Sequence, residues 1–327
     1  MPALPRILVL ATGGTIAGAA GSAVRRDYRP GQVGIGHFLE RVQGFALGAR
    51  LEGRQIANIG SEDIGWELLN LLHRETAAAL AHPDIAGIVI THGTDTAEET
   101  AFLLDQTLPT AKPVVVVGAM LPVDAVGSDG LRNFATGVRV AADPQGGGRG
   151  VLLVMSDDVF AARDARKART TGTSAFAGFP RGPVASANPA AIEWFAAPWR
   201  PDEPARFAWP DALPPVPILH AFQGMGAACV EQALAGGARG IVLAGFGQGN
   251  APEAVRAALG EAVRHGVPVV RSSRVDMGLV DREPDDDAKG FIAARALGPA
   301  KARILLQLLI ASGMRDPGEG QAAFDRR

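Results

Sequence analysis

The sequence predicts an α/β protein with mostly parallel sheets, built as a larger N-terminal α/β domain and a smaller C-terminal α/β domain. Three observations lead there. Short aliphatic runs recur without the apolar–polar alternation of a half-solvated strand, as expected of strands buried on both faces. Longer Ala/Leu-rich amphipathic segments separate those runs. One proline-rich interruption, "WFAAPWRPDEPARFAWPDALPPVP" from Trp194 to Pro217, keeps neither period.

Taken in order, the strand candidates before the interruption are "RILVLA", "GIVITHG", "PVVVVGAM" and "GVLLVMSD". The helix candidates among them are Trp66 to Ala81, Ala97 to Gln106 and Gly130 to Ala142. After it come "PILHAF", "GIVLAGFG" and "PVVRSS", with helices expected over Ala251 to His265 and Gly298 to Ser312. The restart of strand–helix units marks a boundary. The expected division is an N-terminal domain over 1–195, a Pro-rich linker over 196–214 and a C-terminal domain over 215–327.

Composition narrows the function classes. Lys+Arg 32 against Asp+Glu 34 leaves a net charge of −2 with no basic block, which disfavours nucleic-acid and membrane-surface partners. An aromatic fraction of 6% leaves little for stacking bases. The single cysteine, Cys229, excludes an intrachain disulfide and any CxxC motif. It lies in the helix-like "GMGAACVEQALAGG" and reads as a small buried residue. The histidines (His37, His73, His82, His92, His220 and His265) show no HExxH or comparable spacing, so no metal is expected. The start, "MPALPRILVLATGG", lacks a secretory cleavage region, so the expected compartment is the cytoplasm. A periplasmic form with its leader removed would read alike.

In parallel α/β sheets ligands gather beyond the carboxyl ends of the strands. There the first run leads into Thr12-Gly13-Gly14-Thr15 and the second into Thr91-His92-Gly93-Thr94-Asp95-Thr96. Both turns have the form Thr-x-Gly-Thr, so each sets a hydroxyl on a tight loop, and on neighbouring strands the two could face one small pocket. A phosphate cradle fails: no Gly-Lys-Ser/Thr follows, and the spacing is not G-x-G-x-x-G. Plain turns with capping threonines explain one loop well and two matched loops, one of them holding an Asp, less well. A threonine nucleophile needs something to take its proton. No Ser-His-Asp order or G-x-S-x-G elbow is present. Tyr28, the only tyrosine, is a candidate proton relay or lid residue. Lys167, in "FAARDARKARTTGTSAF", is a candidate cation if it turns inward rather than staying solvated with its neighbours. His92 reads as a structural residue beside Gly93 rather than a base.

"ILVLATGGTIAG" and "GIVITHGTDTAEETAFLLD" resemble the two signature segments of the bacterial-type L-asparaginase family. The resemblance continues in order through "ANIGSEDI", "KPVVVVGAM", "GVLLVMSDDVFAARDARKART", "GIVLAGFGQGN", "PVVRSSRV" and "KARILLQLLI". It implies an L-asparagine amidohydrolase working through an acyl-enzyme, with L-glutamine as a side substrate and no cofactor. Thr15 would be the nucleophile, with Tyr28 on a mobile loop beside it. Thr94, Asp95 and Lys167 would handle protons, and Ser61 with Asp95 would hold the α-carboxylate and α-ammonium groups, Glu62 lying nearby. The backbone N–H groups of Thr94 and of a residue near Ala119 would stabilise the oxyanion. The family's assembly is a homotetramer built from tight dimers, a neighbouring C-terminal domain completing each site.

The sequence also departs from the family. Glu283 in "MGLVDREPDDDAKGF" is the best candidate for the residue lent to the neighbour, with Asn250 of "GQGN" as a second contributor. Leu121 stands where many relatives carry Arg. Glu62 follows Ser61 as in several dual asparaginase-glutaminases, where strict asparaginases often have Gln. Two readings from other classes stand beside the leading one: a non-catalytic amino-acid sensor on the same fold, and an amidotransferase-type module. The second would normally bring an RNA-docking domain.

Overall fold

In the computed structural model the described residues are 3–20, 28–29, 31, 33–109, 111–188, 190–200, 203–313 and 316–326, with the backbone alone at 19–20 and 28–29. The chain divides into two compact units, Met1–Arg206 and Phe207–Arg327.

The strands of the first unit are β1 (Arg6–Gly13), β2 (Ala19–Ala20), β3 (Tyr28–Arg29), β4 (Arg50–Ile59), β5 (Ile85–Thr91), β6 (Val114–Val117), β7 (Val151–Met155), β8 (Asp158–Ala161), β9 (Ala165–Lys167), β10 (Phe176–Gly178), β11 (Ala185–Ala187) and β12 (Ile192–Trp194). Its helices are α1 (Ile35–Val42), α2 (Trp66–Ala81), α3 (Ala97–Thr107) and α4 (Gly130–Ala142). Eight strands form one sheet in the order β12-β11-β8-β7-β6-β5-β1-β4. The run from β7 to β4 is parallel, and β8, β11 and β12 extend it antiparallel.

The aliphatic runs are continuous because both faces of this sheet are covered. Leu8, Leu10, Ile88, Ile90, Val114 and Val116 pack on one side with Leu72 of α2 and Ala101 and Leu104 of α3. Their sequence neighbours Ile7, Val9, Val89, Val115 and Val117 pack on the other with Phe38 of α1 and Phe134 and Val138 of α4. Each such side chain, once buried, contributes about 1.5–3 kcal/mol of transfer free energy. The rings of Phe38 and Phe134 meet edge to face at 4.9 Å, which ties α1 to α4.

The expected strands and helices of this unit form, but β4 carries no aliphatic run. Its sequence, "RLEGRQIANI", is only partly buried because β4 is the sheet edge and pairs with β1 alone. It delivers Ser61 all the same.

The second unit has a four-stranded, all-parallel sheet of β13 (Ile218–His220), β14 (Ile241–Gly245), β15 (Val269–Ser273) and β16 (Phe291–Ala293), in that order. Among its described residues lie α5 (Ala228–Ala235), α6 (Glu253–Arg264), α7 (Pro284–Ala288), α8 (Pro299–Ala311) and α9 (Pro317–Asp325). Its core gathers Val230, Ile241, Leu243, Val255, Leu259, Val269 and Phe291. Cys229 is half-buried in α5.

The proline-rich stretch is anchored at both ends. Arg200 is buried, donates its backbone N–H to the Gly148 carbonyl at 2.7 Å and pairs with Asp105 at 3.1 Å. Further on, Gln307 of α8 donates to the Pro214 carbonyl at 2.8 Å. No helix among the described residues is long and apolar enough to cross a membrane.

Candidate active site

The site is built where β4, β1, β5 and β6 end side by side. At the end of β1 the register against β4 slips between Ala11 and Gly13. The Gly14 N–H then donates to the Ile59 carbonyl at 2.9 Å. Gly14 has φ 77° and ψ −172°, a region essentially reserved for glycine. A Cβ there would lie 2.4 Å from Gly93 Cα, so the two Thr-x-Gly-Thr loops touch backbone to backbone. Thr12 donates its hydroxyl to the Thr91 carbonyl at 3.0 Å and locks the ends of β1 and β5 together. Thr15 opens a single 3-10 turn, Thr15–Ala17, and is buried.

Ser61 starts a similar turn after β4, Ser61–Asp63, and is also buried. Its side chain lies against Gly93, where a Cβ would meet Ser61 Oγ at 2.7 Å. The Thr96 hydroxyl donates to the Ser61 carbonyl at 2.9 Å. Three loops therefore stack in the order Ser61, Gly93, Gly14. Glu62 is exposed, its carboxylate folded back over Gly60.

Thr94 is buried and Asp95 exposed. Lys167, at the end of β9, donates from Nζ to Thr94 Oγ1 at 2.9 Å and pairs with the Asp95 carboxylate. Lys167 of the basic segment thus turns inward, while residues 168–172 are exposed. An ion pair with so exposed a carboxylate contributes little to stability. The chemical content lies in the buried hydroxyl: an ammonium on Thr94 Oγ1 polarises it, and a neutral amine there would accept its proton. The cluster can therefore move protons beside a buried threonine.

His92 is fully buried, and burial pushes it down to about 4 against the opposing hydrogen bond from its Nδ1 to the Gly93 carbonyl, 2.8 Å long. A neutral imidazole follows at ordinary pH. The loop after β6 is fixed from α4: Asp129 accepts the N–H groups of Met120 at 3.1 Å and of Leu121 at 3.0 Å. Asn133 donates to the Gly118 carbonyl at 3.0 Å, which holds the backbone beside Ala119.

Tyr28 lies outside the described side chains; its backbone pairs with Ala20. Asn250 and Glu283 belong to the second unit. Asn250 closes a tight turn, its carbonyl accepting the Phe246 N–H at 2.8 Å. Glu283 precedes α7, 4.0 Å from buried Arg271. Arg271 holds the segments around both residues. It contacts Asp286 at 2.6 Å and donates to the carbonyls of Gln248 at 2.6 Å and Asp281 at 2.8 Å. Arg256 pairs with the other Asp286 oxygen. Sequence reasoning missed Arg271, Asp129 and Asn133, since nothing in their spacing marks them. Among the described residues no cluster of His, Cys, Asp and Glu could hold a metal ion.

Known proteins resemble this chain over nearly its whole length. The family described as "Asparaginase, N-terminal" matches residues 6–200, and "Glutaminase/Asparaginase C-terminal domain" matches residues 215–324. The chain is 40% identical over 327 residues to "Probable L-asparaginase periplasmic" of Haemophilus influenzae, covering 98% of this chain and 93% of that one. It is 36% identical over 328 residues to "Glutaminase-asparaginase" of Pseudomonas fluorescens biotype A, covering 98% and 90%. The crystal structure of "Probable Cytoplasmic L-asparaginase from Campylobacter jejuni" superposes with a TM-score of 0.91 at 34% identity, covering 98% of this chain and 99% of that one.

Proposed function

Since the chain belongs to the asparaginase family, we propose that it hydrolyses the side-chain amide of L-asparagine to aspartate and ammonia, with L-glutamine as a side substrate. The observation that carries this reading is the Lys167–Thr94–Asp95 cluster at the end of β5, beside the loop that ends β1 in Thr15. Thr15 Oγ attacks the amide carbon and loses its proton as the tetrahedral adduct forms. Collapse of the adduct expels ammonia, which takes up a proton, and leaves an acyl-enzyme ester on Thr15. Water then adds to the ester carbon, and its proton returns to Thr15 Oγ. Lys167, Thr94 and Tyr28 handle these protons. Backbone N–H groups at Thr94 and near Ala119 meet the oxyanion. The substrate is a small zwitterion, and Ser61 and Asp95 supply a donor for its carboxylate and a charge for its ammonium.

The proposed assembly is a homotetramer of tight dimers in which Asn250 and Glu283 complete a neighbour's site. Light scattering on the purified protein tests it. The proposed compartment is the cytoplasm, and cell fractionation decides between that and the periplasm. The sensor and amidotransferase readings have no structural observation in their favour.

Ammonia release from L-Asn, L-Gln and their D-forms, for wild type and Thr15→Ala, tests the proposal. The substitution should lower kcat by about 10³-fold or more, the scale seen when a nucleophile is removed. A wild type inert on all four amides ends the amidohydrolase reading, and full activity in Thr15→Ala ends the nucleophile assignment.

A further inference from the structure

Lys167 is delivered to the site by a short ribbon that reaches the core through Ala165, Ala175 and Phe176. β9 is three residues long, lies outside the eight-stranded sheet, and pairs only with β10 among the described strands, Phe176 facing Lys167. Beyond it the chain runs through exposed residues 168–172. A two-stranded ribbon this short has little stability of its own. Lysine adds four rotatable bonds between backbone and ammonium, so the place of Nζ depends on the place of the ribbon.

The ladder shows how the ribbon is held. The Ala168 N–H bonds across the ribbon to the Ala175 carbonyl at 2.8 Å. In an antiparallel pair, successive N–H groups point to opposite sides, so the N–H of Lys167 points away from β10. It finds the Glu98 carboxylate, Oε2, at 2.7 Å. Glu98 is the second residue of α3, only four residues after Thr94. One strand-to-helix turn therefore grips Lys167 twice: Thr94 and Asp95 take the side chain, and Glu98 takes the backbone. A helix's first turn also welcomes a carboxylate because its free N–H groups leave positive charge there.

We propose that Glu98 is a positioning residue, whose carboxylate registers the β9–β10 ribbon against α3 so that Lys167 Nζ stays on Thr94 Oγ1. The inference rests on the reading of Lys167 as a proton-handling group and deepens it. Glu98 need not touch substrate to act. Its loss removes the hydrogen bond from Lys167's backbone to the helix that follows Thr94. A displacement of about 1 Å in such a group costs on the order of 100-fold in rate.

The test compares Glu98→Ala with Glu98→Gln. Glutamine keeps an acceptor of the same reach and loses the charge; alanine loses both. If Glu98 merely complements the helix terminus, the two variants fail alike. The expected outcome for Glu98→Ala is a kcat lowered by about 10-fold or more with KM within about threefold, while Glu98→Gln stays within about threefold of wild type in both. A second readout does not depend on catalysis. Hydrogen exchange at the Lys167 amide should be protected in wild type and in Glu98→Gln, and faster by about 10-fold or more in Glu98→Ala. Equal exchange in all three, or a kcat loss shared equally by both variants, overturns the proposal. Lys167→Met stands as a separate control. If it keeps full ammonia release, the reading of Lys167 falls and Glu98 loses its catalytic purpose, whatever the exchange data show.

Discussion

Gly14 and Gly93 meet backbone to backbone where β1 and β5 end, so close that a Cβ on Gly14 would lie 2.4 Å from Gly93 Cα. Gly14→Ala would impose both that overlap and a backbone region that other residues avoid. The expected cost is about 3 kcal/mol or more in urea unfolding. Because the loops carry Thr15 and Thr94, activity should fall further than stability alone explains. A variant that folds at low temperature should still show kcat reduced by about 100-fold.

Gly60 makes the opposite case. It sits at φ −65° and ψ 147°, ordinary backbone for any residue. A Cβ there would lie 2.5 Å from Glu62 Oε1, the far end of a flexible side chain. Gly60→Ala should therefore leave stability within about 1 kcal/mol and displace the Glu62 carboxylate. Glu62→Gln should shift the ratio of asparagine to glutamine turnover with little loss of total rate. The shift should be at most about 10–200-fold, the range that one methylene of pocket fit allows. Paired kcat/KM values on both amides check it, and an unchanged ratio in Glu62→Gln removes Glu62 from specificity.

His92 makes stability depend on pH in a definite direction. Its value in the folded chain is about 4, against 6.5 in an open chain. Between those values the unfolded chain takes up a proton that the folded chain refuses, so folding weakens as pH falls from 6.5 towards 4. Above that window the full contribution is present. The shift corresponds to about 3 kcal/mol. Side-chain NMR of a histidine-labelled sample should find an imidazole titrating near 4. If no imidazole titrates near 4, the assignment is wrong.

In the second unit, Asp286 is buried between Arg271 and Arg256. Asp286→Ala leaves the fully buried Arg271 without its carboxylate and should cost about 3–5 kcal/mol. Arg256→Met should cost less, because Asp286 keeps Arg271. Thermal unfolding of the two variants gives the order, and the reverse order contradicts it.

Much of the fold was legible because burial on both faces writes itself into sequence as an unbroken aliphatic run, as in "RILVLATG" of β1 and "VVVV" of β6. β4 was not legible for the same reason reversed: an edge strand with a partly exposed pattern has no run to find. β8 to β12 were too short to leave a period. In the candidate site, the paired Thr-x-Gly-Thr turns could be read as neighbours, and they are. That Lys167 of "RDARKAR" reaches Thr94 could not be read, since its partners Thr94 and Glu98 lie 73 and 69 residues away in sequence. Glu98 itself looked like any acidic residue in a first helical turn.

The strand order β5-β1-β4 separates two jobs across the sheet. Thr15 and Thr94, proposed for bond making and breaking, follow interior strands whose displacement would disturb two ladders and both faces of the core. Ser61 and Glu62, proposed to read the substrate, follow the rim strand, which has one ladder, to β1. On those proposed roles, substitutions at the rim should retune the preferred amide length while Thr15 and Thr94 keep their spacing. Such a layout would let substrate choice change without rebuilding the proposed chemistry.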